Sequence, residues 1–216
     1  EEKEVSQGFP WIFDNEIDCV KWKATDGSGI KTTSLQDAHI EDGSAVEVFA
    51  RTGAFLGTGI INKKSKITVR IIGKLHADHI MNDTKAYFFK RVSDAVNLRR
   101  WQFSETESVR LIFAEADFIP GLIVERYVTK GDVYLVVQFL ALAAEVFREE
   151  ILYALKTIVK PQFIYERSEA SVREKEGLPE VCGWLFKKGK ERIVISENDI
   201  FLTVDIAHGQ KTGYFL

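Results

Sequence analysis

The chain has 216 residues, 45% hydrophobic and 28% charged, with a formal net charge of −3. That length fits one large domain or two small ones, and the apolar content is enough for a real core. No apolar run approaches membrane-spanning length, and the amino-terminal Glu1-Glu-Lys-Glu4 is not the start of a signal peptide.

Two distant cysteines, Cys19 and Cys182, exclude a disulfide scaffold and fit a reducing cytoplasm. Both are expected to be small buried hydrophobes. Charge is segregated along the chain. Residues 1–50 carry 4 Lys against 11 Asp or Glu, a balance of −7; residues 51–75 carry 6 Lys or Arg and no acid, a balance of +6. A polyanion-binding face on an acidic body would look like this, and so would an uneven solvated surface.

In chain order, Gly8-Phe-Pro-Trp-Ile-Phe13 is an aromatic cluster in which Pro10 suits a turn. Strand signals follow at Cys19–Ala24, Ala45–Ala50, Ala54–Ile61 and Lys66–Ile72, with turns at Asp26–Gly29 and Thr52-Gly53. Short strands with glycine turns predict a small barrel over residues 1–75. Lys63, Lys64, Lys66 and Arg70 are its candidate polyanion contacts, cations that would neutralise phosphates such as those of RNA. Gly57 and Gly59 would let a backbone approach closely. No Gly-x-Gly-x-x-Gly follows, so there is no dinucleotide loop.

His76 and His79 form a His-x-x-His in an expected linker, Gly73–Thr84, with no further ligand in reach, and no metal is assigned. Thr84–Phe103 reads as a helix with an apolar stripe of Phe88, Val92, Ala95 and Val96, capped by Asp83 or Thr84. Its basic residues include Arg91 and Arg99, candidates for a second RNA contact; the alternative is that they solubilise an exposed face.

Val109–Tyr127 reads as two apolar strands joined by an acidic connection ending in Pro120-Gly121, followed by a third strand, Val133–Gln138. Glu115 and Asp117, two apart, would share a side of a strand. An acid/base pair there needs its pKa values pushed apart, whereas acids before a turn are usually solvated or bonded to loop amides. Ala141–Val159 reads as one helix, apolar through Leu142, Val146, Ile151, Leu152 and Leu155, with Glu145, Glu149 and Glu150 facing elsewhere and Pro161 ending it. Then come a strand at Phe163–Ser168, a charged segment at Glu169–Glu176, and Gly183–Phe186. Gly183–Lys190 has one residue too many for a phosphate loop and Glu191 where Ser or Thr would meet magnesium; it reads as a hairpin turn. Ile193–Asp205 reads as strand, turn, strand, and His208–Leu216 closes the chain. The fold class is α+β, with a barrel at 1–75, a mixed α/β central domain at 76–192, and the start of another domain at 193–216.

Several of these stretches carry a resemblance. Gly8–Phe13, Phe55-Leu-Gly-Thr-Gly59 with Asn62, Ile67–Ile72, Arg110–Asp117, Pro120–Tyr127, Tyr165-Glu-Arg-Ser168 with Arg173 and Glu176-Gly-Leu178, and His208–Leu216 resemble bacterial large-subunit rRNA cytosine-C5 methyltransferases that begin with a PUA domain. That family commonly has His at Phe9, Gly at Ala114 and Gly-Leu at Phe118-Ile119. Its first strand normally precedes Gly8, so the resemblance implies that this chain starts partway into the barrel.

The resemblance implies methyl transfer from S-adenosylmethionine to C5 of a cytosine in 23S rRNA, in the cytoplasm, with homodimerisation left open. The cysteine nucleophile and the Rossmann-like cofactor domain would lie downstream of Leu216, so no catalytic residue is expected within the chain and the fragment alone is expected to be inactive. Gln210, Lys211, Thr212, Gly213 and Tyr214 would border the cofactor. Glu166, Arg167 and Arg173 have salt bridging at a buried edge as their plain alternative to an RNA role. Two other functions stand beside this one: a free-standing PUA-type RNA-binding adaptor, and a small-molecule enzyme using Glu115 and Asp117.

Overall fold

In the computed structural model, which describes residues 2–24, 27–210 and 212–214, the chain divides between residues 77 and 78 into two units. The first contains α1 (Glu2–Ser6), β1 (Trp11–Ile12), β2 (Val20–Lys23), β3 (Ile30–Thr33), β4 (Ala45–Phe49), β5 (Phe55–Ile61) and β6 (Val69–Gly73). β1, β6, β5 and β4 pair antiparallel in that order, and β2 and β3 form a separate ribbon. Val5, Ile12, Leu35, Leu56, Ile61, Val69 and Ile71 fill the core, with Val20 of the ribbon packed against it. Among the described residues the pairings do not close into one ring: the expected barrel is a four-stranded sheet and a ribbon sharing a core.

Gly57 and Gly59 serve the approach of β6. A Cβ on Gly57 would come within 2.9 Å of the Gly73 carbonyl, and one on Gly59 within 2.5 Å of the Val69 side chain. The backbone they admit is the chain's own.

The second unit begins with α2 (Ala77–Met81, whose first residue lies in the first unit) and α3 (Thr84–Arg100). Asp83 caps α3 by accepting the Ala86 N–H at 2.9 Å, as its residue type predicts. Strands β7 (Val109–Phe113), β8 (Leu122–Val128) and β9 (Val133–Phe139), then α4 (Leu142–Glu145), α5 (Arg148–Ile158), β10 (Phe163–Ser168), α6 (Ser171–Lys175) and β11 (Val181–Phe186) complete a five-stranded sheet ordered β11-β10-β9-β8-β7. All neighbours run antiparallel except β9 and β10, which are parallel and joined through α4 and α5.

A short 3-10 helix, Ala114–Asp117, links β7 to β8. Ala114 and Phe118 both sit in the left-handed region, at φ 45° and 59°. Gly121, at φ 78°, packs so tightly on Ala141 that an added Cβ would come within 2.4 Å of it.

The single helix expected at Ala141–Val159 is two, broken at Val146-Phe147. The break accompanies the burial of Phe147, whose ring lies 4.4 Å from that of Phe88 on α3, and leaves Val146 exposed. The hairpin expected at Gly183–Lys190 is also absent. β11 pairs with β10, and the next strand, β12 (Arg192–Glu197), pairs instead with β13 (Ile200–Asp205). Asn198 and Asp199, at φ 50° and 63°, make the tight turn between β12 and β13.

The β12–β13 hairpin buries Ile193, Ile195 and Val204, with Ile206 beyond it, against Tyr127, Tyr134, Val136 and Tyr165 on one face of the sheet. Each such aliphatic side chain is worth roughly 1.5–3 kcal/mol when fully buried. Residues 193–207, expected to open another domain, are thus packed onto the central sheet. Among the described residues no helix is long and apolar enough to cross a membrane.

Candidate nucleic-acid interface

The connection between β5 and β6 is a tight turn closed by Asn62 N–H donating to Thr68 O at 2.8 Å and Ser65 N–H to Asn62 O at 3.3 Å. Lys63, Lys64 and Lys66 stand exposed on it. The Lys63 backbone N–H is fixed by Asp42 Oδ1 at 2.7 Å, and its Nζ donates to Ala38 O at 3.1 Å. Beside it lies an open depression of about 620 Å3 lined by residues 36–41 and Lys63. The structure brings these three lysines together.

It does not bring Arg70 to the same surface. Arg70 is only 7% exposed, pairs with Trp11 across the sheet, and lays its guanidinium 5.6 Å from that ring. Lys74 Nζ is turned inward onto Leu56 O at 2.7 Å and Val5 O at 3.2 Å, and Arg51 pairs with Asp18 at 3.6 Å. The basic stretch at 51–75 therefore shrinks to one lysine turn.

Arg99 is likewise withdrawn from RNA. It grips Asp117 through both terminal nitrogens, at 2.5 and 2.6 Å, and donates from Nε to Arg110 O. Asp117 is buried and also accepts the Phe113 N–H at 2.6 Å, so it fixes the β7–β8 connection. Arg91 is different. It bonds the Tyr87 hydroxyl at 2.9 and 3.0 Å and, among the described residues, pairs with no carboxylate.

The other face of the sheet holds a buried ionic cluster. Arg148 on α5 clasps Glu166 at 2.6 and 2.8 Å and Glu145 at 2.8 and 2.9 Å. Ser168 donates to Glu166, and Arg173 reaches Glu145, Pro179 O and Phe139 O. Glu145, expected to face away, is drawn in: desolvation would raise its pKa, but Arg148 and Arg173 hold it below the carboxylate range. Glu166, Arg167 and Arg173 are thus structural ion-pair residues; Arg167 joins Glu169 at 2.7 Å and Gly209 O at 2.7 Å.

The segment after β13 is pinned to the hairpin side of the sheet. Asp205 Oδ1 accepts the N–H groups of Ala207 and His208, which with Arg192 pulls its pKa down to about 2. Thr212 is 2% exposed, and its hydroxyl lies 3.4 Å from Glu125 Oε1. Glu125 is fully buried. Its Oε1 is held by Arg110 at 2.6 and 2.8 Å, its Oε2 has no hydrogen-bond partner, and burial pushes its pKa up.

The Tyr127 hydroxyl engages Tyr214 N and O, and desolvation drives its own pKa to about 12. Of the five residues expected to border a cofactor, Lys211 lies outside the described residues, and Thr212 together with the backbone of Tyr214 is engaged by the sheet. Gln210 and the Tyr214 side chain remain exposed. Tyr127 and Glu125 were not singled out from sequence; two polar residues alternating along one face of an apolar strand were their signal.

Neither cysteine is buried: Cys19 is half-buried and Cys182 exposed. The Cys182 sulfur lies 3.2 Å from the Tyr165 hydroxyl, and desolvation raises its pKa. His76 bonds Glu47 at 2.9 Å and stacks on Phe55 at 4.1 Å. Among the described residues no cluster of three His, Cys, Asp or Glu side chains could hold a metal ion.

Residues 1–74 match a family model described as a PUA-like domain. Over its whole length the chain is 31% identical to ribosomal RNA large subunit methyltransferase I of Alteromonas mediterranea and 33% identical to that of Aliivibrio fischeri, covering 49% of each. The chain spans about half the length of the relatives it matches. In fold it is similar to a protein described as a SAM-dependent methyltransferase from Streptococcus mutans, with a TM-score of 0.70 and 19% identity over all of this chain and 49% of that one. A second solved structure, described as a methyltransferase complexed with SAH, matches at a TM-score of 0.69 and 19% identity over 99% of this chain and 48% of that one.

Proposed function

The chain is homologous, end to end, to the amino-terminal half of large-subunit ribosomal RNA methyltransferases and opens with a PUA-like domain, and from this we propose that it is the RNA-handling half of a SAM-dependent enzyme that methylates C5 of a cytosine in 23S rRNA. The observation that carries the reading is that whole-length match together with the lysine turn. Lys63, Lys64 and Lys66 supply phosphate-neutralising charge on one exposed turn, which positions RNA without reading its sequence.

C5 methylation requires a thiolate that adds to the base, and a base out of its stack. Burial raises the pKa of the Cys182 thiol and so works against the thiolate this addition needs, and the reading places the nucleophile downstream of these residues. S-adenosylmethionine would supply the methyl group and would be bound chiefly by residues beyond the chain. The part of the present residues is to hold Gly209, Thr212 and the Tyr214 backbone against the sheet through Arg167, Glu125 and Tyr127.

The test is transfer of labelled methyl groups from S-adenosylmethionine to undermodified large-subunit rRNA, comparing this chain with a protein extended to the length of its relatives. The extended protein should label a cytosine at C5 and this chain should not. Labelling by this chain alone, or of a different base or position, would overturn the corresponding part of the proposal.

A further inference from the structure

The link between β7 and β8 presents two aromatic rings to solvent. Phe113 is 50% exposed and Phe118 60% exposed, and they flank the buried Asp117. Each has an arginine set against its ring: Arg110 lies 5.0 Å from the Phe113 centroid, and Arg91, on α3, 5.2 Å from that of Phe118. A guanidinium at that range is attracted by the ring and braces it.

The Arg99–Asp117 clasp and the Asp117 bond to Phe113 N–H tie the link to the last turns of α3. Asp117 is neutralised in the process, and Arg91 keeps its charge uncompensated by any described carboxylate. The result is a link with one exposed ring at each end, Phe113 beside an Arg110 already paired with Glu125 and Phe118 beside the charge of Arg91.

Folding does not account for Phe118. Its φ of 59° is a conformation that a side chain with a Cβ pays for and a glycine does not. With 60% of its surface exposed, the residue recovers only part of that cost through burial. A large aromatic side chain kept outward at a strained position needs a reason outside the fold.

We propose that Phe118 and Phe113, braced by Arg91 and Arg110, form a second RNA contact in which unpaired bases of the substrate stack on the rings. The proposal rests on the RNA-handling reading above and adds to it the chemistry recognised: unstacked bases, as distinct from the phosphates met by the lysine turn. Aromatic faces beside arginines suit single-stranded RNA, because every base has a face to stack while its backbone needs cations. A reaction on a base taken out of its stack leaves neighbouring bases unpaired, and the two rings would hold such bases.

The test is equilibrium binding of the whole chain to a short unpaired oligoribonucleotide and to an RNA duplex of equal length. Phe118→Gly removes the ring and the strained φ together, so its folding is not compromised. It should weaken unpaired RNA about five- to 150-fold, the loss of one stacked base, and leave the duplex unchanged. Phe118→Trp should bind as well as the parent, and Phe118→Leu should behave like the glycine variant. Arg91→Gln should reduce the salt slope for unpaired RNA by about 0.7.

Unchanged binding by Phe118→Gly would overturn the stacking contact while the lysine-turn reading stands. Equal rescue by Leu and Trp would mark the link as a merely apolar surface, and the proposal fails. If the parent chain binds neither RNA, the RNA-handling reading falls and the stacking proposal falls with it.

Discussion

The Tyr127 hydroxyl and the Tyr214 backbone hold each other twice: the hydroxyl donates to Tyr214 O at 3.0 Å and accepts from Tyr214 N–H at 3.1 Å. Tyr127 is fully buried in the central sheet, so its phenol is one of the groups that fix the segment after β13, beside Arg167 and Glu125. Tyr127→Phe keeps the ring and removes both bonds. Each such bond is worth about 0.5–1.5 kcal/mol, and the stranded backbone groups add to the loss. Hydrogen exchange should show faster exchange at Gly213 and Tyr214 with the amides of β8 and β9 still protected. Unaltered protection of the segment would mean that the phenol is incidental.

The bend into that segment should respond to acid. The His208 and Ala207 N–H bonds and Arg192 hold the Asp205 pKa near 2, below its ordinary value of 3.8. A depressed carboxyl contributes stability that is complete above its unfolded pKa and is lost as pH falls through the folded one. Amide protection at Ala207 and His208 should therefore fade between about pH 4 and pH 2. Asp205→Asn should flatten that dependence, and a parent profile that is already flat would refute it.

Arg148 stands between two carboxylates, one of them wholly enclosed. Arg148→Met keeps much of the bulk over the Phe139 ring but leaves Glu166 buried without its cation. Removing one partner of such a pair costs about 3–5 kcal/mol. Urea denaturation should show a loss of that order, and Arg148→Met with Glu166→Leu should recover a good part of it. A near-neutral single variant would show that water reaches Glu166.

Arg99 separates structural from RNA-binding arginines. Arg99→Gln leaves Asp117 buried and half-bonded, so stability should drop by about 3 kcal/mol or more. The salt slope of RNA binding should not move, because this guanidinium is already spent on Asp117. A changed slope with unchanged stability would return Arg99 to the RNA surface.

What was legible in the sequence was local. The Asp83 cap, the Pro120-Gly121 turn and the short apolar strands that became β5 to β9 all depend on neighbours within a few residues, which residue type reports. Which partner a charge is spent on is not legible in the sequence, because the partners are distant along the chain. Nothing near Arg70 announces Trp11, and nothing near Glu166 announces Arg148. The same gap hid the role of residues 193–207, whose apolar alternation shows a buried face but not which sheet buries it. The lysine turn was visible because a run of exposed cations between two strands has few places to go.

The most direct test of the account is the affinity of this chain for a large-subunit rRNA fragment across a range of salt, with Lys63, Lys64 and Lys66 present or replaced together by Gln. The account predicts that log affinity falls steeply with log salt and that the triple replacement flattens the slope by about 2 to 3, near one unit per lost phosphate contact. Association that is absent, or indifferent both to salt and to these three lysines, would contradict it.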